Sequence, residues 1–105
     1  GAKEKSDQSK ARSETIKAQV AVKDLYDAAL AGYEEGISKL TSGDYEGATA
    51  ALQKSGTDFD AAYDAAAAKR AAAEAAMKAA QEAAGESEKK AAQADPIVNQ
   101  SQAAQ

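Results

Sequence analysis

A chain of 105 residues with a net charge of −4 makes one domain at most, and its composition removes several function classes. With no cysteine there is no disulfide framework and no thiolate metal site, and with no histidine the commonest general base and transition-metal ligand are missing. No run approaches the roughly 20 apolar residues that a membrane span needs.

The hydrophobic fraction of 44% overstates the core, because 30 of those side chains are alanine and only 16 are larger. Alanine is the best helix former but buries little surface. One proline and few β-branched residues argue against sheet. The expected class is therefore all-α, with long helices in close contact around a thin core. Charge is unevenly spread. Residues 1–23 hold six basic and three acidic side chains, whereas residues 24–64 hold nine acidic and two basic. The acidic middle disfavours nucleic acid, which needs basic density against its phosphates.

In chain order, Gly1-Ala2 reads as a processed end, and residues 1–8 are polar and aperiodic, as in a flexible leader. A first helix is expected over about 8–41. Tyr26, Leu30, Tyr33, Ile37 and Leu40 recur at steps of three and four along it. Ala18, Val22, Leu25 and Ala29 continue it toward the N-terminus on an adjoining face, and Ile16 and Val20 are its last large residues. Gly32 and Gly36 flank this stripe. Each costs a helix about 1 kcal/mol relative to alanine, which points to a close helix contact there.

The pattern stops at Leu40 and restarts at Tyr45. Between them Gly43 suits a left-handed C-cap and Asp44 an N-cap, so the chain turns sharply. A second helix is expected over about 44–84. Its stripe runs Tyr45, Ala48, Leu52, Ser55, Phe59, Ala62, Ala66, Lys69 and Ala73, then on through alanine to Ala83, with Met77 the only larger apolar residue beyond Tyr63. Gly56 can bend or break this helix, but the phase is unchanged across it, which favours continuity. Gly85 suits a C-cap, leaving 9–85 as the helical domain and 86–105 as a short helical or loosely ordered tail. So short a connection makes the two helices an antiparallel hairpin. A lone hairpin leaves one side of each helix uncovered. The remedies are a third segment folding back into a three-helix bundle, or two hairpins pairing into a four-helix bundle.

Two groups stand out as candidate sites. Asp58, Asp60 and Asp64 are the densest carboxylates, and the last two share a helix face. They lack the spacing of a calcium loop, so a solvated acidic face is the plainer reading. Tyr26, Tyr33, Tyr45, Tyr63 and Phe59 cluster toward the turn, as a binding patch or as the core itself. Taken together, the interaction surface expected is Tyr33, Tyr45, Phe59, Tyr63, Asp60 and Asp64. No catalytic, cofactor-binding or metal-binding residue is assigned. Lys69, Arg70 and Lys78 form a small basic face, expected to be solvated or paired with Glu74 and Glu82.

With Gly36, Gly43-Asp44-Tyr45, Ala48, Leu52 and Ser55 in place, the segment 32–57 resembles one tetratricopeptide repeat unit. That family puts a small residue in the first helix, a Gly-Asp-Tyr type of turn, and an alanine five residues past the turn glycine. The resemblance covers about a quarter of the chain. It departs at Gly32, where the family carries a bulky aromatic, and at the missing closing proline. No second repeat is visible and a solenoid needs about three, so a peptide-binding groove is not implied. The wider texture resembles the small alanine-rich helical lipoproteins of bacterial cell envelopes, many of unknown function. That resemblance implies a lipid anchor ahead of the polar leader, a periplasmic or extracellular setting with the cytoplasm as the other option, and no other membrane contact.

The function expected from these features is non-enzymatic association through helices, with a protein partner or with itself as a homodimer. The alternative is a binding protein that holds a small apolar or lipid ligand between the helices, in a gap left by Gly32, Gly36 and the alanines.

Overall fold

The computed structural model describes the backbone of residues 1–104 and the side chains of residues 1–86. The fold is all-α. Its elements are α1 (Ala2–Thr15), α2 (Ala18–Ala21), α3 (Lys23–Ser42) and α4 (Tyr45–Ala104). The chain divides into two compact units, Gly1–Arg70 and one that begins at Ala71.

The first unit keeps the expected hairpin of α3 and the early part of α4, and adds a third helix to it. Residues 2–8, expected as a flexible leader, are the first turns of α1. The single helix expected over 8–41 is interrupted twice. Lys17 takes the left-handed conformation (φ 59°, ψ 42°), and Val22 is extended away from helix at φ −134° and ψ 57°. Between them α2 is a single turn. The chain thereby reverses, and α1 lies back against α3 and α4.

Neither glycine nor proline marks this reversal. Four β-branched residues in eight (Thr15, Ile16, Val20, Val22) lower the local helix propensity. A left-handed lysine costs about 1–2 kcal/mol. Burial on the inner side offsets it. Ala18 and Val22 pack with Ala62 and Ala66, and Ile16 and Ala65 close over them. The Lys69 ammonium, expected in solvent, donates to the Ala21 carbonyl at 2.9 Å and so serves a backbone group at the end of α2.

α4 passes through Gly56 without a break, as the unbroken phase suggests. Gly56 faces α1, and a Cβ there would make an ordinary contact at 3.5 Å from the Cα of Ser6. The helix also continues past Gly85, the expected C-cap, to Ala104. How the tail 86–105 packs falls outside the described side chains beyond Glu86.

Among the described residues, Phe59 and Leu52 are the large apolar side chains buried almost completely, with Tyr26 and Val22 nearly so. The rest of the interior is small: Ala18, Ala29, Ala48, Ala62, Ala66, Ser6, Ser13 and Ser55. Two glycines on α3 sit differently against it. A Cβ on Gly32 would touch the Cβ of Ser55 at 3.6 Å, an ordinary contact. A Cβ on Gly36 would meet Leu52 at 2.5 Å from Cγ and 2.6 Å from Cδ2. Gly32→Ala is therefore expected to stabilise by about 0.5–1 kcal/mol through helix propensity. Gly36→Ala should destabilise, because displacing buried Leu52 costs about 1–3 kcal/mol against a gain of about 1. Urea melts of the two variants check this, and equal shifts of the same sign would contradict it.

Candidate functional site

The turn between α3 and α4 is built from local chemistry. Gly43 is left-handed at φ 86° and caps α3, its N–H donating to the Leu40 carbonyl at 3.2 Å. The next amide, of Asp44, donates to the Lys39 carbonyl at 2.9 Å, which completes the paired C-cap expected of a glycine there. The Asp44 carboxylate then accepts from the Gly47 N–H at 3.0 Å, so the residue read as an N-cap acts as one.

The six residues expected to form an interaction surface occupy several environments. Tyr45 projects from the turn and is 68% exposed. Phe59 is fully buried, its ring centroid 5.5 Å from that of Tyr26 and 6.3 Å from that of Tyr33 in tilted and edge-on packing. Tyr33 is half-buried, with Leu30 beside it on the same cluster. Of the two readings left by the sequence, core holds for Phe59, Tyr26 and the ring of Tyr33. Tyr63 is half-buried beneath the Arg12 guanidinium, which sits 4.0 Å from its ring centroid. The same arginine lies 3.8 Å from the exposed Asp64. Asp60 is half-buried in an open groove between α1 and α4 with Ala2, Lys5, Ser9 and Gly56.

The acidic trio does not converge. Asp58 pairs with Lys54 at 3.0 Å and Asp64 faces Arg12. Among the described residues no three acidic side chains gather as metal ligands would. The gap expected at Gly32 and Gly36 is filled by Ser55 and Leu52. No helix among the described residues is long and apolar enough to cross a membrane.

What the sequence did not reveal is a repeated polar unit joining α1 to α3. Lys3 donates to Asp7 at 2.9 Å, and Asp7 also accepts from the Tyr33 hydroxyl. One heptad further along α1, Lys10 donates to Glu14 at 2.7 Å, and Glu14 accepts from the Tyr26 hydroxyl at 2.6 Å. The α3 tyrosines are also seven apart, in the opposite direction, as antiparallel helices require. Ser6 and Ser13 share this spacing and are both fully buried. Ser6 Oγ donates to Ser55 Oγ at 3.4 Å, and Ser55 Oγ donates to the Ala29 carbonyl at 2.8 Å. The signal that betrays the unit is the coincidence of Lys-x3-acid pairs with serines at heptad spacing.

These contacts shift protonation in consistent directions. The hydrogen bond from Lys3, then that from Tyr33, holds the Asp7 carboxyl below its ordinary range. Lys10 and then Tyr26 do the same for Glu14. The Tyr33 phenol is pushed up first by its bond to Asp7, and that of Tyr26 first by burial and then by Glu14. Lys3 and Lys10 are raised by hydrogen bonds to the same carboxylates. Depressed carboxyls stabilise the fold above their unfolded pKa, about 4, and that contribution is lost as pH falls through the folded values. Raised tyrosines and lysines stabilise below about pH 10, and theirs is lost as pH rises through the folded values. The melting temperature should therefore form a plateau between roughly pH 5 and 9 and fall on both sides. Tyr26→Phe with Tyr33→Phe should flatten both flanks, and unchanged flanks in circular-dichroism melts would contradict the assignment.

The second unit presents a different surface. Residues 71–84 of α4 are exposed on every side, and Met77 is 58% exposed. No known protein family, curated protein or solved structure matches the chain.

Proposed function

We propose that the chain is a non-enzymatic helical interaction module of the bacterial cell envelope that works by association through helices. The observation that carries association is the exposed alanine helix at 71–84, where Ala73, Ala76, Ala80 and Ala83 line one stripe beside Met77. Alanine lets a second helix approach closely, and these exposed turns of α4 gain little from tertiary burial, so a partner helix is what would stabilise this stretch. The non-enzymatic part rests on a sequence with no histidine and no cysteine. The envelope setting rests on the likeness of the alanine-rich texture to envelope lipoproteins.

The test is sedimentation of the chain across a concentration series, beside the variant Ala76→Glu with Ala80→Glu. Association that weakens at least tenfold in the variant, with the melt of the Gly1–Arg70 unit unchanged, supports the reading. Equal behaviour of the two chains removes this stripe as the associating surface.

A further inference from the structure

We infer that α1 exchanges between two copies of this chain, each docking its α1 on the α3–α4 face of the other through the contacts that the folded-back helix makes. The inference rests on the reading above that the protein associates through helices, and it names the partner as a second copy.

Three independent observations lead to it. The first is the nature of the docked helix. α1 carries no apolar side chain larger than alanine. It is held by the two carboxylate–tyrosine bonds, by Ser6 against Ser55, and by Arg12 on Tyr63 and Asp64. Polar contacts of this kind exchange one copy for another with no loss, because the partner's α1 offers the same groups at the same spacing. Leaving the face open is not an equivalent state, since Phe59, fully buried in the folded-back form, packs beneath the tyrosines that α1 engages.

The second observation is the hinge. Among the described residues Lys17 is the one non-glycine residue at positive φ, and Val22 leaves helical geometry five residues later. Within the reversal Gln19 Oε1 is buried without a hydrogen-bond partner, and Val20 is 75% exposed. Straightening restores helical φ and ψ at both positions. Exchange of an identical element keeps the docking contacts and relieves the hinge, which makes it a low-cost route to a dimer.

The third is the sequence itself. From Ala2 to Ala31 there is no glycine or proline, and helical spacing holds on both sides of Val22, in Ala18, Val22, Leu25 and Ala29 and, on the adjoining face, in Tyr26, Leu30, Tyr33, Ile37 and Leu40. No glycine or proline imposes the reversal, and tertiary contact holds it. In the exchanged dimer α1, α2 and α3 become one helix, and two such helices run antiparallel about a two-fold axis near the hinge. The arrangement closes, because each face receives one α1.

The chain has no cysteine, so engineered thiols report unambiguously. Ser6→Cys and Ser55→Cys are placed on separate copies, mixed, refolded together and oxidised, and the links are mapped by mass spectrometry. Light scattering follows the mass over a concentration series. Lys17→Gly is the second variant, since glycine accepts the left-handed hinge and penalises the straight helix. It should shift the dimer toward monomer by about 10³-fold, two hinges contributing. The expected result is a dimer with an interchain link between positions 6 and 55, the link being lost on Lys17→Gly. A dimer without that link, or a link indifferent to Lys17→Gly, overturns exchange while association through helices stands. A monomer at every concentration overturns exchange and self-association together.

Discussion

Phe59→Ala is expected to lower the stability of the Gly1–Arg70 unit by about 3–5 kcal/mol, the range for emptying a fully buried aromatic site. Phe59 has no exposure and is in ring contact with Tyr26 and Tyr33. Among the described residues it is also one of two large apolar side chains buried almost completely, the other being Leu52. A domain core typically leaves a net margin of about 5–15 kcal/mol, and small units sit at its lower end. The variant should therefore melt tens of degrees lower or be unfolded at room temperature. Circular dichroism with urea titration gives the answer. A loss below about 1 kcal/mol would mean that the aromatic cluster is not the centre of the core. Alanine at the exposed Tyr45, on the other face of the turn residue, should move stability by no more than about 0.5 kcal/mol. The contrast separates a core aromatic from a surface one within the same expected patch.

Ser55→Leu is the second large effect, and its sign opposes the hydrophobic pattern. Position 55 lies on the α4 stripe between Leu52 and Phe59, so pattern reasoning would favour leucine there. Three helices converge on it instead. Its hydroxyl donates to the Ala29 carbonyl of α3 and accepts from Ser6 of α1, and Gly32 lies against its Cβ. An isobutyl group would force the helices apart, at about 1–3 kcal/mol for overpacking. It would also leave the buried Ser6 hydroxyl unpaired, at about 1–3 kcal/mol more. The expected loss is about 2–6 kcal/mol. Ser55→Ala should cost less, about 1–3 kcal/mol, because the hydrogen bonds go but the helices need not separate. If leucine proved neutral or stabilising, the close three-helix contact at this level would be wrong.

Both predictions depend on α1, and α1 is where sequence reading and structure part. Its residues from Ala2 to Thr15 contain no large apolar side chain, so no hydrophobic period announces a helix. The aspartate and glutamate that dock it acquire meaning only when Tyr33 and Tyr26, between 12 and 26 residues away, supply their hydroxyls. Lys69 is a similar case. On the stripe it reads as an interruption, and its function as donor to the Ala21 carbonyl depends on a reversal 48 residues earlier.

The sequence by itself determined the helical class, the hairpin of α3 and α4, and the turn at Gly43-Asp44, because these follow from local causes. A three-and-four apolar period, a glycine free to be left-handed and a carboxylate placed for an N-cap act within a few residues of each other. It also favoured passage of α4 through Gly56, because a loop of arbitrary length would not keep the phase, and the structure made that choice. Tertiary structure decided the rest. It bent a stretch with helical periodicity at Lys17 and Val22, since burying Ala18, Val22 and a polar α1 against α3 and α4 outweighs the cost of a left-handed lysine. It sorted five aromatic rings into core and surface, since burial depends on what covers a face, and the covering helix carries no apolar code of its own.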